Sequence, residues 1–146
     1  MSDAGSWILL VGRILFALNF ALVAGAVFHV GKSQMAVGYS RQIGFPFAAI
    51  AGWPTGLWLI AGGLSIALGI YGDVGALMLA AFVIPAAWWF HAFWKVEDES
   101  QKQTAQLLFW RNVTFLGAAL IIFVLFAAFG HDLALTVTDP VFDLRD

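Results

Sequence analysis

Apolar residues dominate four stretches of the chain, at approximately 7–30, 53–71, 74–94 and 101–129, and short polar segments separate them. A helix rises about 1.5 Å per residue, so roughly 20 apolar residues carry the chain across a hydrocarbon core about 30 Å thick. The pattern therefore predicts an all-α integral membrane bundle of four transmembrane helices, a single membrane domain over residues 1–146. In the first stretch, Trp7 to Val30, small residues recur every fourth position at Ala17, Ala21 and Gly25. That spacing puts them on one helix face, where a neighbouring helix can approach closely. Ala61, Ser65 and Gly69 predict a similar face on the second helix, with Gly62 and Gly63 in mid-span.

The segments between these runs have their own signals. From Gly31 to Gly52 the chain carries Lys32, Ser33, Gln34, Tyr39, Arg41 and Gln42. This reads as an interfacial connection, part of it a short surface helix. Pro54 suits the first turn of the second helix, because its missing N–H is unpaired there anyway. Gly72 and Asp73 predict a tight turn, which makes the second and third helices antiparallel neighbours. Pro85 predicts a bend that re-aims the aromatic end of the third helix, because it deprives a carbonyl one turn earlier of its partner. Ser100 and Gln103 have the spacing of a capping box for the fourth helix. The acidic tail, 130–146, contains Pro140 and is expected to lack regular structure.

Composition narrows the functional classes. Hydrophobic residues make up 62% and charged residues 11%, which leaves no room for a second, soluble domain. A net charge of −2 with no basic stripe argues against nucleic acid as a partner. With no cysteine, the chain cannot form disulfides, thiolate metal sites or iron–sulfur clusters, and cannot transfer sulfur through a thiol. The N-terminal residues lack a basic signal-peptide region, so the first apolar run is expected to be a retained crossing. Lys32, Arg41, Lys95 and Lys102 fall in the loops after the first and third helices, with Arg111 near the boundary. By the positive-inside rule, loops 31–52 and 95–100 are expected to be cytoplasmic and both termini outside, although Arg13 pulls the other way.

The third helix ends in Phe90-His91-Ala92-Phe93-Trp94, and the fourth carries Gln106, Phe109-Trp110-Arg111-Asn112 and Gly117. With Gly12-Arg13, Gly62-Gly63 and Gly69, this pattern resembles the DoxX family of small four-helix membrane proteins over essentially the whole chain. The resemblance implies a bundle in a bacterial or archaeal cytoplasmic membrane. Some members are subunits of thiosulfate:quinone oxidoreductases, and others associate with partners that handle oxidative or thiol stress. Two positions depart from the family pattern. Leu59 stands near the place of a glutamate that often precedes the paired glycines, and Arg111 stands where lysine is common. The missing carboxylate weakens a proton-coupled or quinone-binding role.

The first and third helices run in the same direction, so His29 and His91 end at one membrane face, near Lys32, Arg111 and Asn112. His91, Trp94, Arg111, Asn112 and His29 form the candidate polar pocket. Histidines there can hand on protons, contact a quinone carbonyl or ligate a metal, or they can simply anchor helix ends at headgroup level. Asn112 can glue helices by an interhelical hydrogen bond or meet a ligand. Arg13 lies deeper and is expected to form a structural ion pair with Asp73. His131, in the tail, reads as solvated. No catalytic residue can be named, and no metal or tightly bound cofactor is expected. A quinone contact is the one cofactor chemistry the resemblance suggests.

The expected function is a membrane subunit that accompanies or anchors a redox assembly, quinone-linked or concerned with oxidative stress. It would not be an independent enzyme. The alternatives are a structural or assembly subunit without chemistry of its own, or a small carrier of lipid or apolar solute. Expected partners are membrane lipid and either other membrane proteins or further copies of the chain.

Overall fold

The computed structural model describes residues 2–145, and among these it contains helices and turns but no strand. Helix α1, Asp3–Leu18, starts where the Ser2 hydroxyl accepts from Gly5 N at 3.2 Å and continues as a π-helix, Asn19–Val30. The polar connection holds a short helix α2, Ser33–Gln42, and a 3-10 turn, Ala48–Ile50. Helix α3 spans Trp53–Leu68. Helix α4, Gly72–Pro85, passes into a π-helical turn, Ala86–Phe90, and after a break at His91 into a 3-10 turn, Phe93–Lys95. Helix α5, Glu99–Phe129, ends in the 3-10 turn Gly130–Asp132.

Among the described residues three segments are long and apolar enough to cross a membrane: Asp3–Val30, Gly72–Lys95 and Glu99–Asp132, with mean hydropathies of 2.1, 1.7 and 2.5. The apolar helix α3 has 16 residues, a rise of about 24 Å, and is shorter than a standard crossing. Ile8, Leu107 and Ile121 are each more than 70% exposed. In water such large exposed side chains would be a liability. Hydrocarbon is the solvent they suit.

The helices pack in the order α1, α3, α4, α5. The Ala17–Ala21–Gly25 face predicted from sequence meets α3. A Cβ added at Gly25 would lie 3.0 Å from the Gly56 carbonyl oxygen, and one at Gly63 would lie 2.8 Å from Ala21 Cβ. On the other side of α3, a Cβ at Gly62 would lie 2.9 Å from Leu79 of α4. The paired glycines thus serve one neighbour each. The stripe predicted through Ala61 is only partly realised, because Ala61 is exposed while Gly62, Gly63 and Ile66 are buried. Phe20, Leu59, Ile66, Leu79, Val83 and Phe126 form the core. Leu59 is fully buried there, an apolar core position in place of a carboxylate.

Two boundaries differ from the sequence expectation. The turn between α3 and α4 is Gly69–Tyr71 rather than Gly72–Asp73. Gly69 takes φ 66° as the left-handed cap of α3, and Ile70 N reaches back to Ser65 O at 3.0 Å. Gly72 and Asp73 are then the first residues of α4. At α5, Asp98 is the cap in place of Ser100, its Oδ1 accepting from Gln101 N at 2.9 Å. A carboxylate satisfies an orphan N–H and also complements the helix dipole, an advantage Ser100 lacks.

The tail from Gly130 is irregular, as expected from Pro140, but it is not a free solvated strand. It folds back over the end of the bundle where α3 meets α4. Val137 N and Thr138 N both donate to Gly69 O at 3.1 Å, and Leu144 N donates to Ala127 O at 3.1 Å. Asp73 Oδ2 accepts from the backbone N–H groups of Val141 and Phe142, both at 2.7 Å. Arg13 Nη2 donates to Leu135 O at 2.6 Å, and its guanidinium lies 5.7 Å from the centre of the Phe126 ring. The expected direct ion pair between Arg13 and Asp73 is therefore not formed. Both residues reach the predicted end of the bundle, and each directs its charge to tail backbone. His131, read from sequence as solvated, pairs with Asp139 at 3.0 Å. Farther along, a side-chain hydrogen bond from Arg145 holds the Asp143 carboxyl down to about 2.

These contacts predict that Arg13→Leu and Asp73→Ala share one phenotype, a released tail. Each should cost about 1–3 kcal/mol, the range for a hydrogen bond to a charged group. Asp73→Asn, which keeps a neutral acceptor, should cost less, and the exposed Lys32→Leu should cost little. Thermal unfolding in detergent and the rate of proteolysis within residues 133–145 would report this; a protected tail in both Arg13→Leu and Asp73→Ala would refute it.

Candidate ligand site

A cavity of about 720 Å³ lies at the opposite end of the bundle from the tail, against residues of α1, α2, α3, α4 and α5 and the Ala48–Ile50 turn. It exists because α1 and α5 have no extensive contact. They meet through aromatic rings, Phe16 and Phe20 against Phe115 at centroid distances of 6.4 and 5.3 Å. Beyond these rings the cavity opens between them. Both π-helical segments border it, with Asn19, Phe20, Val23, Ala24, Phe28 and His29 from the first and Ala86 and Phe90 from the second. A π-helix is wider than an α-helix and re-aims side chains, which is why such turns recur at functional sites. Pro85 sits at the α-to-π junction of α4, so the bend predicted there is realised as a change of helix type.

The polar groups on this mostly apolar wall are few. His29 is buried, and its Nδ1 lies 2.6 Å from the Ala51 carbonyl oxygen. A carbonyl only accepts, so Nδ1 carries the proton of that bond and Nε2 of the neutral ring is an acceptor. Phe28 and Phe82 hold the ring edge-on at 5.3 and 5.7 Å. Asn112, also buried, donates from Nδ2 to Leu108 O one turn back on its own helix at 2.9 Å. The interhelical bond expected of Asn112 is not made. Its amide oxygen and second N–H are left for the cavity. Arg111 is exposed at the cavity edge, 5.9 Å above the Phe115 ring.

Four of the five sequence-predicted pocket residues, His29, His91, Arg111 and Asn112, line this one cavity. Trp94 does not. It lies in the 3-10 turn beyond the break at His91, 45% exposed, in a cluster with Trp88, Phe93 and Phe109 at 5.2 to 5.6 Å. Lys32 also stays off the wall. Sequence reasoning missed Tyr39, Trp58 and Phe115. Phe115 had a usable signal, being three residues after Asn112 and so on the same face of α5. Tyr39 and Trp58 had none, because only the fold of the 31–52 segment brings Tyr39 to the cavity and only the packing of α3 brings Trp58 there. Among the described residues there is no group of three or more histidine or carboxylate side chains arranged to hold a metal.

The comparison with known families fits this architecture. A model of the DoxX family matches residues 8–92, more than half of the 146-residue chain. The chain belongs to the DoxX family. No curated protein and no solved structure matches it. The match takes in α1 to α4 with both cavity histidines and ends before α5, so the DoxX core supplies the back wall. Arg111, Asn112 and Phe115 come from beyond the matched region.

The two histidines should separate in their effects. His29→Ala removes a buried hydrogen bond and strands the Ala51 carbonyl, so it should destabilise the bundle by about 1–3 kcal/mol. The His91 side chain makes no hydrogen bond among the described residues, and His91→Ala should leave the unfolding temperature nearly unchanged. Thermal melts of both variants in one detergent test this, and equal losses would refute the assignment of His29 as the tether between α1 and the 48–51 turn.

Proposed function

We propose that this DoxX protein is a non-catalytic membrane subunit accompanying a redox assembly, and that its own contribution is a site for one chain-bearing amphiphile with an oxygen-bearing head. Membrane quinones belong to that chemical class. The observation that carries this reading is the convergence of His29, His91, Arg111 and Asn112 on an otherwise apolar cavity of about 720 Å³. Single-ligand sites run to roughly 300–1,000 Å³ and take their specificity from a few placed polar groups. Arg111 and the free amide N–H of Asn112 offer donors to a head oxygen, while His29 Nε2 and the Asn112 oxygen offer acceptors to a hydroxyl. The redox assignment rests on the family resemblance, and the site supports it by accommodating the ligand class such assemblies share. The cell type and a bacterial or archaeal cytoplasmic membrane belong to the same reading.

We also propose that α3 is the fourth crossing. Its two faces are buried against α1 and α4, both parts of spanning segments, so its ends lie at depths set by theirs. The Gly31–Gly52 segment and the tail lengthen it at either end. In this arrangement the cavity end, with Lys32, Arg41 and Lys95, faces the cytoplasm, and both termini face outward.

The purified chain should bind decylubiquinone saturably, with about one molecule per chain. Ala24→Trp, which fills the cavity from α1, should abolish the binding while leaving the melting temperature close to wild type. Equilibrium dialysis against the quinone measures it. Unsaturable partitioning, equal in wild type and Ala24→Trp, would leave a structural subunit as the better reading. Reporter fusions at the two termini and at residue 97 would test the orientation.

A further inference from the structure

A second cavity of about 550 Å³ adjoins the first and shares three residues with it, Tyr39, Phe90 and His91. The Tyr39 and Phe90 rings, 5.9 Å apart, and the His91 side chain thus form the partition between an inner apolar chamber and an outer one. The outer chamber lies at the end of the bundle, where α4 has broken and α5 begins, and its wall includes Lys95, Ser100, Gln101 and Thr104. Arg111 borders the inner chamber on one side of His91, and Lys95 borders the outer chamber on the other. The linings of the two chambers contain these two permanent cations and no aspartate or glutamate. Neither cation is in an ion pair. Among the described residues the lysine and arginine ion pairs are Lys102 with Glu99 and Arg145 with Asp143.

A cation one or two turns inside an apolar helix without a counter-charge is costly in hydrocarbon, and such residues ordinarily pair. Arg111 lies just beyond Leu107 and Trp110, which are 72% and 56% exposed, so its surroundings include the apolar face of α5. Its guanidinium lies 5.9 Å from the centre of the Phe115 ring. Among the described residues no carboxylate lines the cavity beside Arg111.

We propose that the two chambers form one site for a single-chain anionic amphiphile, a long-chain carboxylate, with its head at His91 between Arg111 and Lys95 and its chain in the inner chamber. The proposal rests on the reading that the inner cavity is a ligand site, and narrows the ligand to one that carries the missing charge. The inner volume suits one chain; a two-chain lipid would exceed a site of roughly 300–1,000 Å³. A charge-assisted hydrogen bond from Arg111 to the carboxylate supplies the preference for an ionised head over a neutral one.

The test uses the full chain in nanodiscs of phosphatidylcholine, titrated with palmitate, with hexadecanol as the neutral homologue, and with empty nanodiscs subtracted. Palmitate should bind saturably and about tenfold or more tightly than hexadecanol, the ratio expected when a charged hydrogen bond is lost. Arg111→Gln should weaken palmitate by a similar factor and hexadecanol by much less, and Arg111→Lys should restore most of the difference. Lys95→Gln should act in the same direction by a smaller factor. Arg111 is exposed, and an unchanged melting temperature in Arg111→Gln would show that the bundle is intact. Saturable binding of palmitate and hexadecanol with equal affinity, insensitive to Arg111→Gln, would overturn the anionic ligand and leave the ligand site standing. Competition by phosphatidylglycerol without palmitate binding would overturn the single-chain carboxylate in favour of a lipid headgroup. Absence of saturable binding by palmitate, hexadecanol and decylubiquinone alike would overturn both this proposal and the ligand site.

Discussion

Close backbone approach along α3 is the constraint on which the remaining structure depends. Gly56 and Gly63 admit α1 from one side, and Gly62, facing Leu79 and Gly75, admits α4 from the other. In hydrocarbon there is no hydrophobic drive to bring helices together, so van der Waals contact between smooth faces has to do it. A short central helix with small residues on two faces therefore organises two longer neighbours. With α1 and α4 on opposite sides of α3, α5 packs mainly on α4, and α1 and α5 face each other across a gap. The cavity is that gap, closed in part by Phe16, Phe20 and Phe115.

Charge is handled differently at the two ends. At the tail end, Arg13 and Asp73 are both buried, and each is satisfied in part by backbone groups of the tail, a carbonyl for the cation and two N–H groups for the anion. This joins a segment without regular structure to the helices at points of high stability, because a buried charge that loses its partner is expensive. At the cavity end Arg111 and Lys95 line the walls, and neither is in an ion pair among the described residues. One end is thereby closed by its charges, and the other keeps its polar groups available.

The DoxX core and helix α5 divide the site between them. The matched region, 8–92, builds α1 to α4, the glycine contacts and both cavity histidines. Helix α5 adds Arg111, Asn112 and Phe115, the residues that give the cavity its charge, its amide and its aromatic closure. The binding properties proposed for the site thus depend on a helix that the core holds mainly through α4.

The sequence alone determined the membrane class, the approximate apolar runs, the small-residue face of α1 and the gathering of His29, His91, Arg111 and Asn112 at one end. Each of these rests on hydrophobic length, helical periodicity or the alternation of helix direction, which are local properties of the chain. Only the tertiary structure decided that Arg13 and Asp73 bind the tail rather than each other, since a tail carbonyl and two tail N–H groups compete for them and no local pattern records where an irregular segment folds back. It likewise decided that Asn112 bonds within its own helix, that Trp94 leaves the pocket after the chain breaks at His91, and that Tyr39 and Trp58 reach it. Those outcomes depend on where helices separated in sequence come to lie. The cavity itself has no sequence signature, because it is the space left where α1 and α5 diverge beyond the Phe16, Phe20 and Phe115 rings, and that divergence is set by how helices distant in sequence pack.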